Sequence, residues 1–310
     1  MPQVSVVVPT LGRPALTLAL HSALSQRGVD VEVIVVDDGS GGAAGAIVER
    51  VGDSRVHLLG HHGRRGPGAA RNTGVAAARG AWVAFLDDDD LWAPDKLARQ
   101  LDAARAAGRD WVYAGAVEVD EWHRVLHAEP PIAPAEAVRQ LSRRNVVPAG
   151  ASNVMVHAAA LSATGPFDPD LRNTEDWDLF IRLAQRGPPA AVEAPLVAVR
   201  LHTGQASLTT ARLVEELDLL ERRHGVLADR PSIHRGAAWA CLRAGRRREA
   251  LAGYVHAVRA GDLGSVARAA VALLPGPAQE RLLRTRTAHG DEPAADLLVA
   301  QAWVDEVVRG

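Results

Sequence analysis

Cysteine is nearly absent: Cys241 stands alone in 310 residues, so no intrachain disulfide can brace the fold and no cysteine-rich zinc site can form. Lysine is equally scarce, Lys96 being one residue among 35 basic ones; with the abundance of alanine, this reads as coding bias. The formal net charge of −2 removes any bulk attraction to nucleic acid or to an anionic bilayer. No apolar run approaches the roughly 20 residues that a membrane helix needs. Met1 leads directly into Val4 to Val8, with no basic segment or small-residue cleavage site before it. Together these absences predict a cytoplasmic protein with no transmembrane segment and no nucleic-acid partner, while a peripheral position at the inner membrane face stays compatible. What remains is a chain with 47% apolar residues, long enough to bury a full core as one large domain or as a domain with an appendage.

Short β-branched runs alternate with helical patterns. Val4 to Val8 precedes a helix over 14–25, Val31 to Val36 precedes one over 43–51, Val56 to Leu59 precedes one over 69–78, and Ala81 to Leu86 follows. That rhythm predicts a mostly parallel, Rossmann-like α/β sheet with helices on both faces. Val31 to Val36 is apolar except at Glu32, as a strand covered on both sides requires. Further helices are expected over 94–107 and from Glu175 to the Gly187-Pro188 stop, with strands over 111–119 and 192–199. From about Leu208 the pattern is wholly helical, and 237–260 resembles a tetratricopeptide-type hairpin turning near Gly245. The expected division is therefore a catalytic domain over 1–207 and a helical extension over 208–310.

In doubly wound sheets ligands bind beyond the carboxyl ends of the strands, and there this sequence is acidic. Asp37-Asp38-Gly39-Ser40 follows a buried strand, where a carboxylate can accept from a nucleobase imide or a ribose hydroxyl; a helix-capping acidic turn is the plainer alternative. Phe85-Leu86 ends in four consecutive carboxylates, Asp87 to Asp90, before apolar Leu91-Trp92. Such crowding raises proton affinity unless a cation compensates, and oxygen ligands suit Mg2+ or Mn2+ bridging to a diphosphate. A solvated acidic loop is the alternative. Thr174-Glu175-Asp176-Trp177-Asp178 opens a helix, where an ionised carboxylate can either remove a proton from an incoming hydroxyl or simply cap the helix.

These blocks, with Val4 to Thr10, Ala70-Arg71-Asn72, Phe85 to Leu97, Gly165-Pro166-Phe167-Asp168 and Glu175 to Leu183, resemble family 2 glycosyltransferases of the GT-A fold over residues 1 to 205. The resemblance implies an inverting, metal-dependent transfer of a sugar from a nucleotide diphosphate sugar to a hydroxyl acceptor: a saccharide, a lipid-linked saccharide or a small molecule. UDP-sugar is the default donor, with dTDP and GDP open. By the same resemblance Pro9 and Thr10 border the nucleobase pocket, Asp38 holds the base, and Arg71 contacts the nucleotide or steadies the metal-binding acids. Asp87 and Asp88 belong to the nucleotide side, Asp88 toward the ribose, and Asp89 is the main metal ligand, with a register open by one residue. Asp176 is implied as catalytic base, Glu175 as its helper and His202 as a further ligand to the cation.

Leu11-Gly12 departs from the family's usual aromatic and asparagine after Thr10. His61 and His62, beside Arg64 and Arg65, read as a solvated connection or a loop facing the diphosphate. Two rival functions stay open: a sugar-phosphate nucleotidyltransferase, which Pro9 to Pro14 matches poorly for want of a glycine-rich basic loop, and a non-catalytic binding or scaffold module. The helical tail offers acceptor contacts or a route to a homo-oligomer.

Overall fold

A computed structural model describes residues 1–201, 210–243, 245–273 and 294–309. The β-branched runs form strands as expected: β1 (Val4–Thr10), β2 (Val31–Asp37), β3 (Val56–Gly60) and β4 (Trp82–Phe85). Between them lie α1 (Leu16–Leu24), α2 (Ala43–Val51) and α3 (Pro67–Ala77), and Pro67 occupies the first turn of α3, where its missing N–H costs nothing. β5 (Leu91–Trp92), α4 (Lys96–Ala107) and β6 (Trp111–Val119) follow. The stretch that the hydrophobic pattern left unassigned holds β7 (Val125–Glu129), α5 (Pro134–Leu141), a 3-10 turn at Gly150–Asn153, β8 (Met155–His157) and α6 (Ala158–Thr164). These pieces are too short to show a period. α7 (Glu175–Arg186) and β9 (Ala190–Arg200) complete this part.

Among the described residues the strands join in one sheet of order β3-β2-β1-β4-β8-β6-β9-β5, with β7 beside β6. β1 to β4 are mutually parallel; β8 runs against both β4 and β6, and β9 lies parallel to β6. The carboxyl ends of β1, β2, β3, β4, β6 and β9 therefore share one edge. Alternation along β2 divides its side chains between two layers: Val31, Val33 and Val35 enter the large core with Leu16, Leu20 and Leu97, whereas Ile34 and Val36 meet Ala70 of α3. Glu32, the polar interruption, is 3% exposed. Ser5 Oγ donates to it at 2.6 Å and the Arg79 backbone N–H at 2.8 Å; burial opposes ionisation, but these bonds and the Arg79 charge hold its carboxyl below the usual range.

The chain divides into two compact units, one of 1–141, 145–200 and 293–310, the other of 142–144 and 201–292. The first includes α12 (Ala294–Arg309), whose Ala300, Trp303, Val304 and Val307 belong to the large core, with Trp303 Nε1 donating to Pro195 O at 3.1 Å. The second holds α8 (Thr210–His224), α9 (Arg230–Arg243), α10 (Arg247–Arg259) and α11 (Ser265–Leu273). α9 and α10 make the hairpin expected from the sequence and bury Cys241 with Ala238, Ala250 and Tyr254. Residue 207, the expected boundary, lies outside the described residues. Among the described residues no helix is long and apolar enough to cross a membrane.

Candidate active site

β1 ends at Thr10, whose Oγ1 donates to Asp88 Oδ2 at 2.5 Å while accepting from Gly12 N at 2.9 Å. Leu11 N also donates to Asp88 Oδ2, at 3.3 Å, so the end of the first strand is tied to the loop after the fourth. Pro9 is half-buried beside them. Gly12 has φ +73°, and a Cβ there would lie 2.7 Å from Ala43 Cβ: the departure from the usual sequence brings this turn onto the start of α2.

Asp37, the last residue of β2, and Asp38 just after it have different partners. Asp37 takes Ser40 N at 2.6 Å and Ser40 Oγ at 2.7 Å, and Ser40 Oγ accepts Ala44 N at 3.1 Å, which satisfies the start of α2. Asp38 instead faces the loop after β3. It accepts from Arg65 N and Gly66 N, each at 2.8 Å, and from His61 Nδ1 at 2.8 Å. His61 Nε2 sits 2.9 Å from Thr73 Oγ1, and the imidazole is 5% exposed. The solvated connection expected around His61 is thus built into the fold, while His62 is exposed. A carboxylate offers about four acceptor positions, so three bonds leave Asp38 one for a ligand. Residues 60–65 line an adjoining cavity of about 440 Å3.

Two arginines hold most of the acidic block. Arg71, only 3% exposed, projects from α3 and donates to Asp87 Oδ1 at 2.6 Å and to Glu175 Oε1 at 2.7 Å. Those two anions keep it ionised against its burial. Asp88 meets Thr10 and Arg13; burial raises its pKa, against the Thr10 bond and the Arg13 charge. Arg13 Nη1 bridges Asp88 Oδ1 at 3.1 Å and Asp89 Oδ2 at 2.5 Å. Asp90 is 5% exposed, with a pKa pushed well up by burial and by Asp89 and Asp87. Ser152 supports this loop, its Oγ accepting Asp87 N at 3.0 Å and its carbonyl accepting Trp92 Nε1 at 2.7 Å.

At the start of α7, Glu175 is buried against Arg71; desolvation lifts its pKa to about 7 despite the guanidinium. Asp176 is half-buried. Its Oδ1 accepts Trp177 N at 2.6 Å and its Oδ2 accepts Asn145 Nδ2 at 3.2 Å, and burial raises its pKa against the pull of Arg71. Gly150, at φ +52°, lets this carboxylate in: a Cβ there would stand 2.5 Å from Asp176 Oδ2. Asp178 is engaged elsewhere, receiving Arg182 Nε and Nη2 at 3.0 and 2.6 Å. Asn72 and Phe167 exchange two 2.8 Å bonds, which places the Phe167 ring 5.5 Å from the Arg71 guanidinium. His202 lies outside the described residues.

Arg71 therefore joins one acid after β4, Asp87, to one acid opening α7, Glu175, through a single guanidinium. Among the described residues no cluster of three or more His, Cys, Asp or Glu is assembled as a metal site. The donor set nonetheless suits a hard cation: carboxylate oxygens converge on the Arg13 guanidinium, a positive charge already held at Asp88 and Asp89. Arg13, Asn145, Gly150 and Ser152 are not among the residues that the sequence marks for the site, and His61 is marked only as part of a solvated connection or a loop facing the diphosphate. For Arg13 a signal existed, a basic residue just beyond a strand's carboxyl end; Asn145 carried none.

The model for "Glycosyl transferase family 2" matches residues 5–163, just over half of the chain. This chain belongs to that family. Succinoglycan biosynthesis protein ExoO of Rhizobium meliloti is 48% identical over 109 residues, 35% of this chain but 31% of that protein. A "UDP-Glc:alpha-D-GlcNAc-diphosphoundecaprenol beta-1,3-glucosyltransferase", WfgD of Escherichia coli, is 22% identical over 227 residues, covering 73% of this chain and 85% of the relative. Among solved structures, S. aureus TarS 1-349 in complex with UDP-GlcNAc superposes with TM-score 0.59 at 17% identity, over 99% of this chain and 92% of TarS. The mannosyltransferase PcManGT from Pyrobaculum calidifontis, in complex with GDP-Man and Mn2+, has TM-score 0.51 at 19% identity, over 99% and 86%. At these identities the structures establish the GT-A fold. The α/β sheet and the helical C-terminal region both agree with the expectation from sequence.

Proposed function

We propose that this family 2 glycosyltransferase moves a hexose from a nucleoside diphosphate sugar to a hydroxyl acceptor with inversion and with a divalent cation. The observation that supports this reading is the Arg71 bridge, which joins Asp87 of the acidic loop after β4 to Glu175, the neighbour of Asp176 at the start of α7. Asp89 and His202 would hold Mn2+ or Mg2+, with Asp88 toward the ribose; the cation when bound would stabilise charge on the departing diphosphate. Asp38 has one acceptor position left for a nucleobase imide, and Pro9 and Thr10 border that pocket. Asp87 orients Arg71.

Asp176 is the general base. It is the more accessible of the two acids, and burial raises its pKa, which increases its affinity for the acceptor's proton. Glu175, pinned by Arg71, orients the pair. Inversion follows from a single displacement at the anomeric carbon: the acceptor oxygen bonds, the diphosphate leaves with the electron pair, and Asp176 takes the proton. UDP-sugar is the default donor; a fold neighbour bound to UDP-GlcNAc supports it, while one bound to GDP-Man and Mn2+ keeps guanine open and supports the cation. The name of WfgD makes a lipid-linked saccharide the first acceptor to try.

The test is a thermal-shift screen of UDP, dTDP and GDP with and without Mn2+, followed by transfer assays. A native-state ligand at about 100 times its Kd adds about 2.7 kcal/mol and raises Tm. Asp176→Asn should bind the donor normally and lose turnover by about 100-fold or more, the scale of general-base catalysis. Near-normal transfer by that variant would remove Asp176 as base, and pyrophosphate release from a sugar phosphate and a nucleoside triphosphate would instead identify a nucleotidyltransferase.

A further inference from the structure

Arg13 follows β1 by three residues and reaches across to a loop 75 positions away. Its Nη1 holds two carboxylates at once, Asp88 Oδ1 and Asp89 Oδ2, and its side chain is 24% exposed against 6% and 9% for theirs. Asp88 is also fixed by Thr10 Oγ1 and Leu11 N, so it cannot turn away when the guanidinium moves. Asp89 Oδ2, the oxygen nearest Arg13, belongs to the residue assigned above to the cation. A guanidinium and a divalent ion cannot occupy the same lone pairs, and placed side by side they repel.

We propose that Arg13 is a resident counter-ion that competes with the divalent cation for Asp89 and yields the site when a nucleoside diphosphate arrives. The proposal rests on the metal-dependent reading of the site. Its physical content is a coupling. Without nucleotide, a cation that takes Asp89 must push Arg13 toward water and leave two positive charges close together. With nucleotide, the diphosphate supplies the anionic oxygens to which a guanidinium binds strongly, so Arg13 gains a second partner. Cation and nucleotide then raise each other's affinity by the same factor, as linkage demands. Arg13 is thus a positioning residue that ties cation loading to donor loading and keeps the acidic loop neutralised in between.

The experiment is Mn2+ titration of the full chain, followed by the EPR signal of free Mn2+, with and without UDP and, in parallel, GDP. Wild type, Arg13→Gln and Arg13→Lys are compared, with Asp89→Asn in each background. Removing the positive charge should tighten Mn2+ binding in the absence of nucleotide by at least tenfold and shrink the nucleotide-induced gain to under threefold. Arg13→Lys, which keeps the charge without the planar fork, should stay near wild type without nucleotide. Asp89→Asn should abolish Mn2+ binding in every background. If Arg13→Gln binds Mn2+ no more tightly than wild type while both load Mn2+ with nucleotide, the competition is refuted and the metal-dependent reading survives. If nucleotide binds but Mn2+ binds neither protein, or Asp89→Asn leaves Mn2+ binding intact, that reading fails and the proposal with it.

Discussion

Single side chains in this molecule carry tasks that their neighbours in sequence do not reveal. Gly150 faces Asp176 so closely that a methyl group would meet its Oδ2 at 2.5 Å. Gly150→Ala should therefore shift the carboxylate and lower kcat about 10- to 100-fold, since displacements near 1 Å cost that much, while the donor Kd stays within about twofold. A parallel loss of donor binding would show that the glycine supports the loop and not the base. Lys96 is a second case. It is fully buried, its Nζ donating to Gln100 Oε1 at 2.9 Å and lying 4.0 Å from the Trp92 ring centroid, and burial pushes its pKa well below the ordinary lysine value. A lysine can shed its proton in such a slot and an arginine cannot. That gives a physical reason why one lysine persists in a chain otherwise supplied by arginine. Lys96→Arg should cost about 1–3 kcal/mol from overpacking alone, read as a lower urea midpoint with an unchanged m-value.

At the scale of elements, α3 and α7 meet through Arg71. Replacing Arg71 by Met leaves Glu175 buried without its cation, a loss of about 3–5 kcal/mol typical of a broken buried pair. Arg71→Lys should recover little of it, because a single ammonium cannot span Asp87 and Glu175 as two guanidinium nitrogens do. Urea denaturation at pH 8, above the Glu175 pKa of about 7, is the sensitive measurement. Elements were legible from sequence wherever their period ran long enough. The buried runs of β1 and β2, the face of α4 and the acids beyond β4 all announced themselves, as did the spacing of Trp177, Phe180 and Ile181 in α7. The connections from 120 to 174 did not, because β8 has three residues and the 3-10 turn four. Their register depends on distant bonds, such as Asn153 Nδ2 to Ala114 O at 2.6 Å. The same holds for the site. The aspartates were visible because four stand together, whereas Asn145 and Arg13 act on acids 31 and 76 positions away. No local pattern encodes such contacts.

Across the whole molecule, the two units should respond differently to acid. In the helical unit His234 is 3% exposed, its Nδ1 has no hydrogen-bond partner among the described residues, and burial, with His256 and Arg230 beside it, depresses its pKa to about 4. The folded state therefore keeps this imidazole neutral while the unfolded chain takes up a proton near pH 6.5. Its contribution is complete above about pH 6.5 and is lost progressively as pH falls toward 4, by roughly 3 kcal/mol in all. Urea titrations of the wild type and His234→Leu at pH 7 and pH 5 should show a smaller acid-induced loss in the variant. Equal losses would assign the effect to other groups, such as Glu221 and Asp262, whose lowered pKa values also make acid destabilising.

α12 has a different reach. Trp303, Val304 and Val307 share the core of Val4, Val33 and Trp92, although residues 201 to 293 intervene between this helix and β9. During synthesis the sheet must wait, its apolar bed beside Pro195 unroofed, until residues 294–309 have left the ribosome. A chain stopped after Arg200 would contain nearly every residue assigned a chemical role and yet carry that bed bare. Each large side chain missing from it forfeits roughly 1.5–3 kcal/mol of burial. Such a fragment should come out as aggregate, and supplying the last helix as a separate peptide should return part of it to solution.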